Sequence, residues 1–282
     1  MLQIKNIFRP ETLGEALQIF SENPNIKPLM GGTDLVVQLR ESGVSADVLD
    51  LTRIESIKTI KLDKENIYIG AGVSHAEIAN SQTVADYAPL LAQSSAMVGS
   101  PAIRNRGTIG GNVGNASPVA ESIPTLIAHN AIVNLQDSEK TRQIKVEDFH
   151  LAPGKTAIQP GELITGFTIP RIGEEFFGFY KRLGSRASVS IAKVGVALSS
   201  KREGNRLLNV RIALSAVAPR VLRAKKSEKI LSCQEINSDI IGKAAEVLVT
   251  ECSPISDLRS TMEYRADMVR ELFKIGMAEL FS

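Results

Sequence analysis

Apolar residues at Leu13, Ala16, Leu17 and Phe20 mark one face of a helix over 13–20, opened by Thr12 with Glu15 three residues on. Pro28, Leu29 and Met30 run into a turn on Gly31 and Gly32, and Leu35 to Arg40 then predicts a short helix capped by Thr33 or Asp34. Short strands are predicted at Val48–Leu51 and Ile67–Ala71. A helix from Asp86 to Val98 ends at Gly99-Ser100-Pro101, and a second glycine turn follows at Thr108-Ile109-Gly110-Gly111-Asn112. Ser117-Pro118 predicts another helix start, with the helix disturbed at Pro124 and ending near His129.

From there the pattern changes. Strand-like runs cover Ala131–Leu135, Leu163–Ile169, Phe176–Leu183, Ile191–Ser199 and Leu207–Val217. Two helices follow, at Ile240–Val249 and Ser260–Leu280, the last with Tyr264, Met268, Leu272, Phe273 and Ile275 as its apolar stripe. This order predicts an α+β protein of two units, divided in the charged, turn-rich stretch 169–175, with the boundary at residue 172. A chain of 282 residues is long enough for two cores.

The two glycine turns carry the candidate chemistry. Glycine lets backbone approach a ligand closely, and consecutive N–H groups directed at one point form an anion site. Two such turns brought together could hold both halves of a diphosphate, and a dinucleotide is the natural guest. Either turn alone could equally be a tight connection before a helix. The commoner nucleotide-binding signatures do not occur in the chain. Gly70-Ala71-Gly72-Val73-Ser74-His75 fails the last glycine of the Rossmann fingerprint, and there is no Walker A lysine or G-x-S-x-G elbow.

Composition narrows the classes further. The chain is 43% hydrophobic and 23% charged, as ordinary globular domains are, with a net charge of +2. Dispersed basic residues and 5% aromatics argue against a nucleic-acid surface. No apolar run reaches the ~20 residues of a membrane span, and charges interrupt Met1 to Arg9 where a signal peptide would be apolar. A cytoplasmic protein is expected. Two cysteines, Cys233 and Cys252, exclude a four-cysteine iron–sulfur cluster within this chain and read as buried thiols. His75, His129 and His150 share no ligand spacing, so no protein-bound metal is expected.

Gly31-Gly32-Thr33-Asp34-Leu35 resembles the first FAD motif of the flavin-carrying medium subunits of molybdenum hydroxylases, the xanthine, nicotinate and carbon monoxide dehydrogenase family. The segment from Val98 to Pro118 is similar to the second motif almost without interruption. Further matches are Gly70–Val73, Phe179–Arg182, Ile191–Val196 and Tyr264-Arg265, so the resemblance runs the length of the chain. It implies a two-part FAD-binding domain of the vanillyl-alcohol oxidase (PCMH) type over 1–172. A smaller α+β domain of the CO-dehydrogenase flavoprotein type follows over 173–282.

The resemblance implies that Leu29, Met30, Gly31, Gly32, Thr33, Asp34 and Leu35 wrap the diphosphate and ribityl chain of non-covalent FAD together with Thr108, Ile109, Gly110, Gly111 and Asn112. It also implies that Val98, Glu121, Ile164 and Lys181 lie near the flavin, ribityl or adenine portions. Each of these four, and Asp34, also suits a plainer role. Glu121 suits the start of a helix through the macrodipole, Val98 and Ile164 suit a core, Lys181 suits a solvated strand face, and Asp34 suits an N-cap. Arg104 and Arg106 are surface charges or flavin-tuning cations.

Three departures from the family pattern stand out: Met30 where alanine is usual, Thr33-Asp34 in place of the His-Ser pair of the carbon monoxide enzymes, and no aromatic residue in the loop 184–190. The implied function is an electron-transfer subunit passing electrons from a partner's [2Fe–2S] clusters to NAD or another acceptor. A small iron–sulfur subunit and a large molybdopterin subunit would complete the assembly. The rival readings are a self-sufficient FAD-dependent oxidoreductase of the same fold, and a scaffold that has lost its flavin.

Overall fold

The computed structural model describes residues 4–186, 189–232 and 234–281; Ala187 and Ser188 of the loop noted above, and Cys233, lie outside the described residues. Strand β1 (Ile4–Phe8), helix α1 (Leu13–Glu22), β2 (Lys27–Leu29), α2 (Leu35–Ser42) and β3 (Ala46–Asp50) build a small parallel sheet in the order β1-β3-β2. Thr12 caps α1 by accepting from the Glu15 N–H at 3.2 Å, and the Glu15 carboxylate reaches back one residue further than a capping box, to the Glu11 N–H. The sheet packs on α1 through Ala16, Leu17, Phe20 and Leu49.

Strands β4 (Ile60–Leu62) and β5 (Asn66–Gly70) begin a second sheet, and six short helices follow. These are α3 (His75–Asn80), α4 (Gln82–Tyr87), α5 (Pro89–Met97), α6 (Pro101–Arg106), α7 (Ile109–Gly114) and α8 (Ser122–Ala128). The chain continues through β6 (Ile132–Gln136), β7 (Thr141–Lys145), α9 (Val146–Phe149), the hairpin β8 (His150–Ala152) and β9 (Lys155–Thr156), and β10 (Leu163–Pro170). The order β4-β5-β10-β6-β7 is antiparallel throughout. Alternation along β5 and β10 places Ile67, Ile69, Phe167 and Ile169 in the core.

A third sheet, antiparallel and ordered β11-β12-β13-β14, comprises β11 (Phe176–Leu183), β12 (Val194–Glu203), β13 (Arg206–Ser215) and β14 (Leu222–Arg223). Helices α10 (Lys225–Leu231), α11 (Ser238–Thr250) and α12 (Met262–Phe281) cover it around Val196, Leu198, Ile212, Leu248 and Phe273. The α+β class holds, with a parallel and an antiparallel sheet in the earlier part. All seven residues of α8 are buried, and Ile123 and Ile127 share a core with Ala213 and Val221 from beyond the third sheet's first two strands.

Three expectations are corrected. The helix over 86–98 is two helices, because Pro89 cannot continue α4 and instead opens α5. The helix after Ser117-Pro118 starts only at Ser122, with Glu121 at its N-cap position and Pro124 in its first turn, where a missing N–H costs nothing. The stripe of α12 is rotated by one residue. Its buried face is Arg265, Val269, Phe273, Gly276 and Met277, leaving Tyr264 and Ile275 exposed. The Arg265 guanidinium enters the interior because it finds the carbonyls of Lys193 and Ala216 at 2.8 and 2.9 Å and the Asp257 carboxylate at 2.8 Å. Cys252 is a half-buried free thiol, and burial pushes it up to about 12. Among the described residues no helix is long and apolar enough to cross a membrane.

Candidate functional site

A cavity of about 420 Å³ opens between the two glycine turns and the start of β10. Leu29 through Leu35, Val98, Thr108, Gly110, Gly111, Asn112 and Ile164 all line it. Thus residues far apart in the chain, and singled out on sequence grounds, meet around one space. Ile109, Glu121 and Lys181 do not line it: Ile109 is fully buried in the core of the second sheet.

The first turn is held by close backbone packing. A Cβ on Gly31 would lie 2.0 Å from the Arg106 carbonyl oxygen, so only glycine lets the turn lie against the end of α6. Gly32 sits at φ +73°, the left-handed region. Among the described residues, the N–H groups of Gly31, Gly32, Thr33 and Asp34 have no hydrogen-bond acceptor in the protein. Four unpaired donors in consecutive residues on a cavity wall are suited to an anion. Asp34 holds the N-cap position of α2 without a capping bond, and neither it nor Thr33 caps the helix by its side chain. Its carboxylate accepts from the Asn115 amide at 3.2 Å, while Asn115 accepts from Gln38 at 3.1 Å, so α2 and the end of α7 are tied together.

The second turn works differently from expectation. It is the first turn of α7, and its four N–H groups are already engaged. Ile109 and Gly110 donate to the carbonyls of Val73 (3.1 Å) and Ala71 (2.9 Å). Gly111 donates to the Thr108 hydroxyl at 3.2 Å and Asn112 to the Thr108 carbonyl at 2.9 Å. Of the two turns, only the first therefore has free N–H groups. The second contributes a close wall: a Cβ on Gly110 would strike Ala71 at 2.6 Å, whereas one on Gly111 would meet only the Thr108 hydroxyl, at 3.2 Å. One lysine, Lys27, also lines the cavity, four residues before Gly31 at the start of β2.

Residues 2–172 match the family described as FAD binding domain in molybdopterin dehydrogenase, and residues 179–280 match CO dehydrogenase flavoprotein C-terminal domain. The chain belongs to this FAD-binding family. It is 31% identical to the glyceraldehyde dehydrogenase medium chain of Sulfolobus acidocaldarius over 94% of each chain. Identity to the nicotine 6-hydroxylase medium subunit of Paenarthrobacter nicotinovorans is 29%, over 96% of this chain and 95% of that one. Among solved structures, carbon monoxide dehydrogenase from Hydrogenophaga pseudoflava superposes with a TM-score of 0.96 at 25% identity, covering 100% of this chain and 98% of that chain. Relatives in the family are FAD subunits of dehydrogenases, so the chain is an oxidoreductase subunit.

Outside the cavity, this family member carries a buried ion pair. Glu121 Oε1 lies 3.2 Å from Arg182 Nε, both side chains nearly fully enclosed. Burial pushes the Glu121 carboxyl up, and Arg182 opposes it. Arg182 also donates to the Ser190 carbonyl, so the pair anchors the loop after β11. The Tyr180 hydroxyl is buried without a partner, and burial first and Glu121 second push it above its ordinary value. Lys181 faces outward and pairs with Glu279. Arg104 is half-buried. It donates to the carbonyls of Val98 (3.1 Å) and Gly99 (3.2 Å) and so shapes the Val98 wall.

Sequence reasoning missed His75. It opens α3, is 1% exposed, lines the cavity, and is held down to about 4 by burial and by the Arg104 charge. The only signal was its place at the helix start just beyond Gly70–Val73, after the N-cap Ser74.

Proposed function

We propose that this chain is the FAD-carrying electron-transfer subunit of a cytoplasmic molybdenum hydroxylase, taking electrons from [2Fe–2S] clusters of a small partner subunit and delivering them to NAD or another acceptor. A large partner subunit with molybdopterin would carry out the hydroxylation, and it would set the substrate. The observation that carries the reading is that residues 31–34, whose four N–H groups are unpartnered, line one cavity with the second glycine turn, in a chain of this family.

The residues fit the group. Gly31, Gly32, Thr33 and Asp34 would hold the diphosphate by backbone donation, which suits a dinucleotide better than a single phosphate. Leu29, Met30, Leu35, Val98 and Ile164 would cover apolar portions, and the Asn112 amide and the Thr108–Gly111 backbone would flank the chain between them. Ile109 would support that backbone from the core. Glu121 and Lys181 would act at the ribityl and flavin end, Glu121 with its Arg182 partner. Bound FAD supplies a carrier that accepts electrons singly or in pairs.

The test starts from the purified protein. It should be yellow, and acid precipitation should release FAD into the supernatant. Release of FMN, or flavin retained in the pellet, would overturn the site. The flavin of the isolated chain should be reducible by dithionite, yet the oxidised chain, given an electron-accepting dye, should hydroxylate no heterocycle or aldehyde. Adding the iron–sulfur and molybdopterin subunits should restore turnover. Hydroxylation by this chain alone would instead establish a self-sufficient oxidoreductase.

A further inference from the structure

Among the described residues, His75 is the one buried titratable side chain in the cavity wall with no partner of its own. Its backbone N–H donates to the Gly107 carbonyl at 3.0 Å, which locks the start of α3 beneath the link between α6 and α7. A Cβ on Gly107 would have the Thr33 hydroxyl at 3.4 Å and the His75 ring at 3.6 Å, so the imidazole and the first glycine turn flank the same backbone atom. Nδ1 is buried without a hydrogen bond, and Nε2 makes none within the protein. The charged group facing the ring from α6 is Arg104, which is occupied by two carbonyls.

An unmade bond at a buried N–H donor is costlier than a bare acceptor lone pair. That preference selects the neutral tautomer with the proton on Nε2, leaving Nδ1 as the unpaired acceptor. The donor then belongs to the nitrogen left to the cavity. Burial and the Arg104 charge keep the ring neutral at working pH, so it supplies a hydrogen bond without a cation.

We propose that neutral His75 donates from Nε2 to a phosphate oxygen of a diphosphate seated on the 31–34 turn, adding a side-chain donor to the backbone donors. This rests on the reading that the cavity takes FAD, and it assigns the residue to the diphosphate and not to the flavin ring. It is a binding residue, with no part in moving protons.

The experiment uses apo protein titrated with FAD and separately with ADP, which carries the diphosphate without the flavin. Loss of a hydrogen bond to a charged oxygen weakens binding about tenfold to a hundredfold. His75→Phe should raise both dissociation constants by that factor. His75→Gln, whose amide nitrogen can stand where Nε2 lies, should recover most of the loss, and His75→Asn should not.

Nitrogen-15 spectra of the wild type give an arm that needs no variant. Nε2 should carry the proton before and after ADP, with its resonance shifting on binding. A His75→Phe variant binding FAD and ADP as the wild type does would overturn the proposal and leave the FAD reading standing. So would loss of FAD affinity without loss of ADP affinity, a His75→Gln as weak as His75→Phe, or a proton on Nδ1. A wild type that binds neither ligand would overturn both.

Discussion

Replacing Gly31 by alanine puts a methyl group where two backbones already touch. The Cβ would lie 2.0 Å from the Arg106 oxygen, 2.7 Å from its carbonyl carbon and 3.1 Å from the Gly107 Cα. Ordinary contact is about 3.5 Å, so the first turn and the end of α6 must separate by about 1.5 Å. No flexible side chain is available to swing aside. Overpacking of this kind costs about 1–3 kcal/mol of stability.

The same displacement moves the four N–H donors of the turn. Misaligning one or two charge-assisted bonds loses about 1.5–6 kcal/mol, or about tenfold to ten-thousandfold in the dissociation constant. Titrating apo protein with FAD, followed by flavin fluorescence, reads the affinity, and thermal melts read the stability. Gly14→Ala is the control, because nothing lies within 4 Å of its Cβ. A Gly31→Ala protein that binds FAD within about threefold of wild type would refute the argument that this turn grips the ligand.

Gly111→Val should also lose FAD on gel filtration but, unlike Gly31→Ala, keep its melting temperature to within a few degrees, since its Cβ meets only the Thr108 hydroxyl; retained stoichiometric flavin would exclude the second turn from the site. Arg182→Met should lower stability by about 3–5 kcal/mol by leaving buried Glu121 without its cation, and adding Glu121→Gln should recover part of that in a chemical melt. His129 has neither ring nitrogen hydrogen-bonded, and burial lowers it from 6.5 to about 4. Its folded form stays neutral while the unfolded chain takes up a proton, so stability is full above pH 6.5 and declines as pH falls toward about 4. The loss reaches about 3 kcal/mol. His129→Leu should remove that part of the acid slope in melts taken between the two values, and an unchanged slope would contradict the assignment.

What the sequence made legible follows from physical range. Long periodic segments such as 240–249 and the strand 176–183 were readable because many residues vote for one period, and the glycine turns because close approach admits only one residue type. Elements of two to six residues, β2, β8, β9 and α6 among them, carry too few positions to establish a period. The rotated face of α12 was hidden because Arg265 reads as solvent-facing until its carbonyl partners, distant in sequence, are known. The engaged N–H groups of α7 were hidden for a similar reason: Ala71 and Val73 are the acceptors, and only the fold brings them there. His75 stood outside any motif, since an unpaired ring nitrogen is a property of surroundings and not of spacing.

Helix α8 has consequences for how the chain holds together as a whole. Every one of its residues is buried, and its apolar side chains pack with the second sheet and with Ala213 and Val221. The Ala216 N–H also donates to the Pro118 carbonyl just before it, at 2.8 Å. A nick in the turn-rich stretch after Pro170 would thus cut the polypeptide without cutting the interior. The two pieces would share one seam and survive only as a noncovalent pair, each exposing bare apolar surface if parted. Denaturation of the intact chain should then be a single concerted event, with the cavity and the third sheet lost together in one melt.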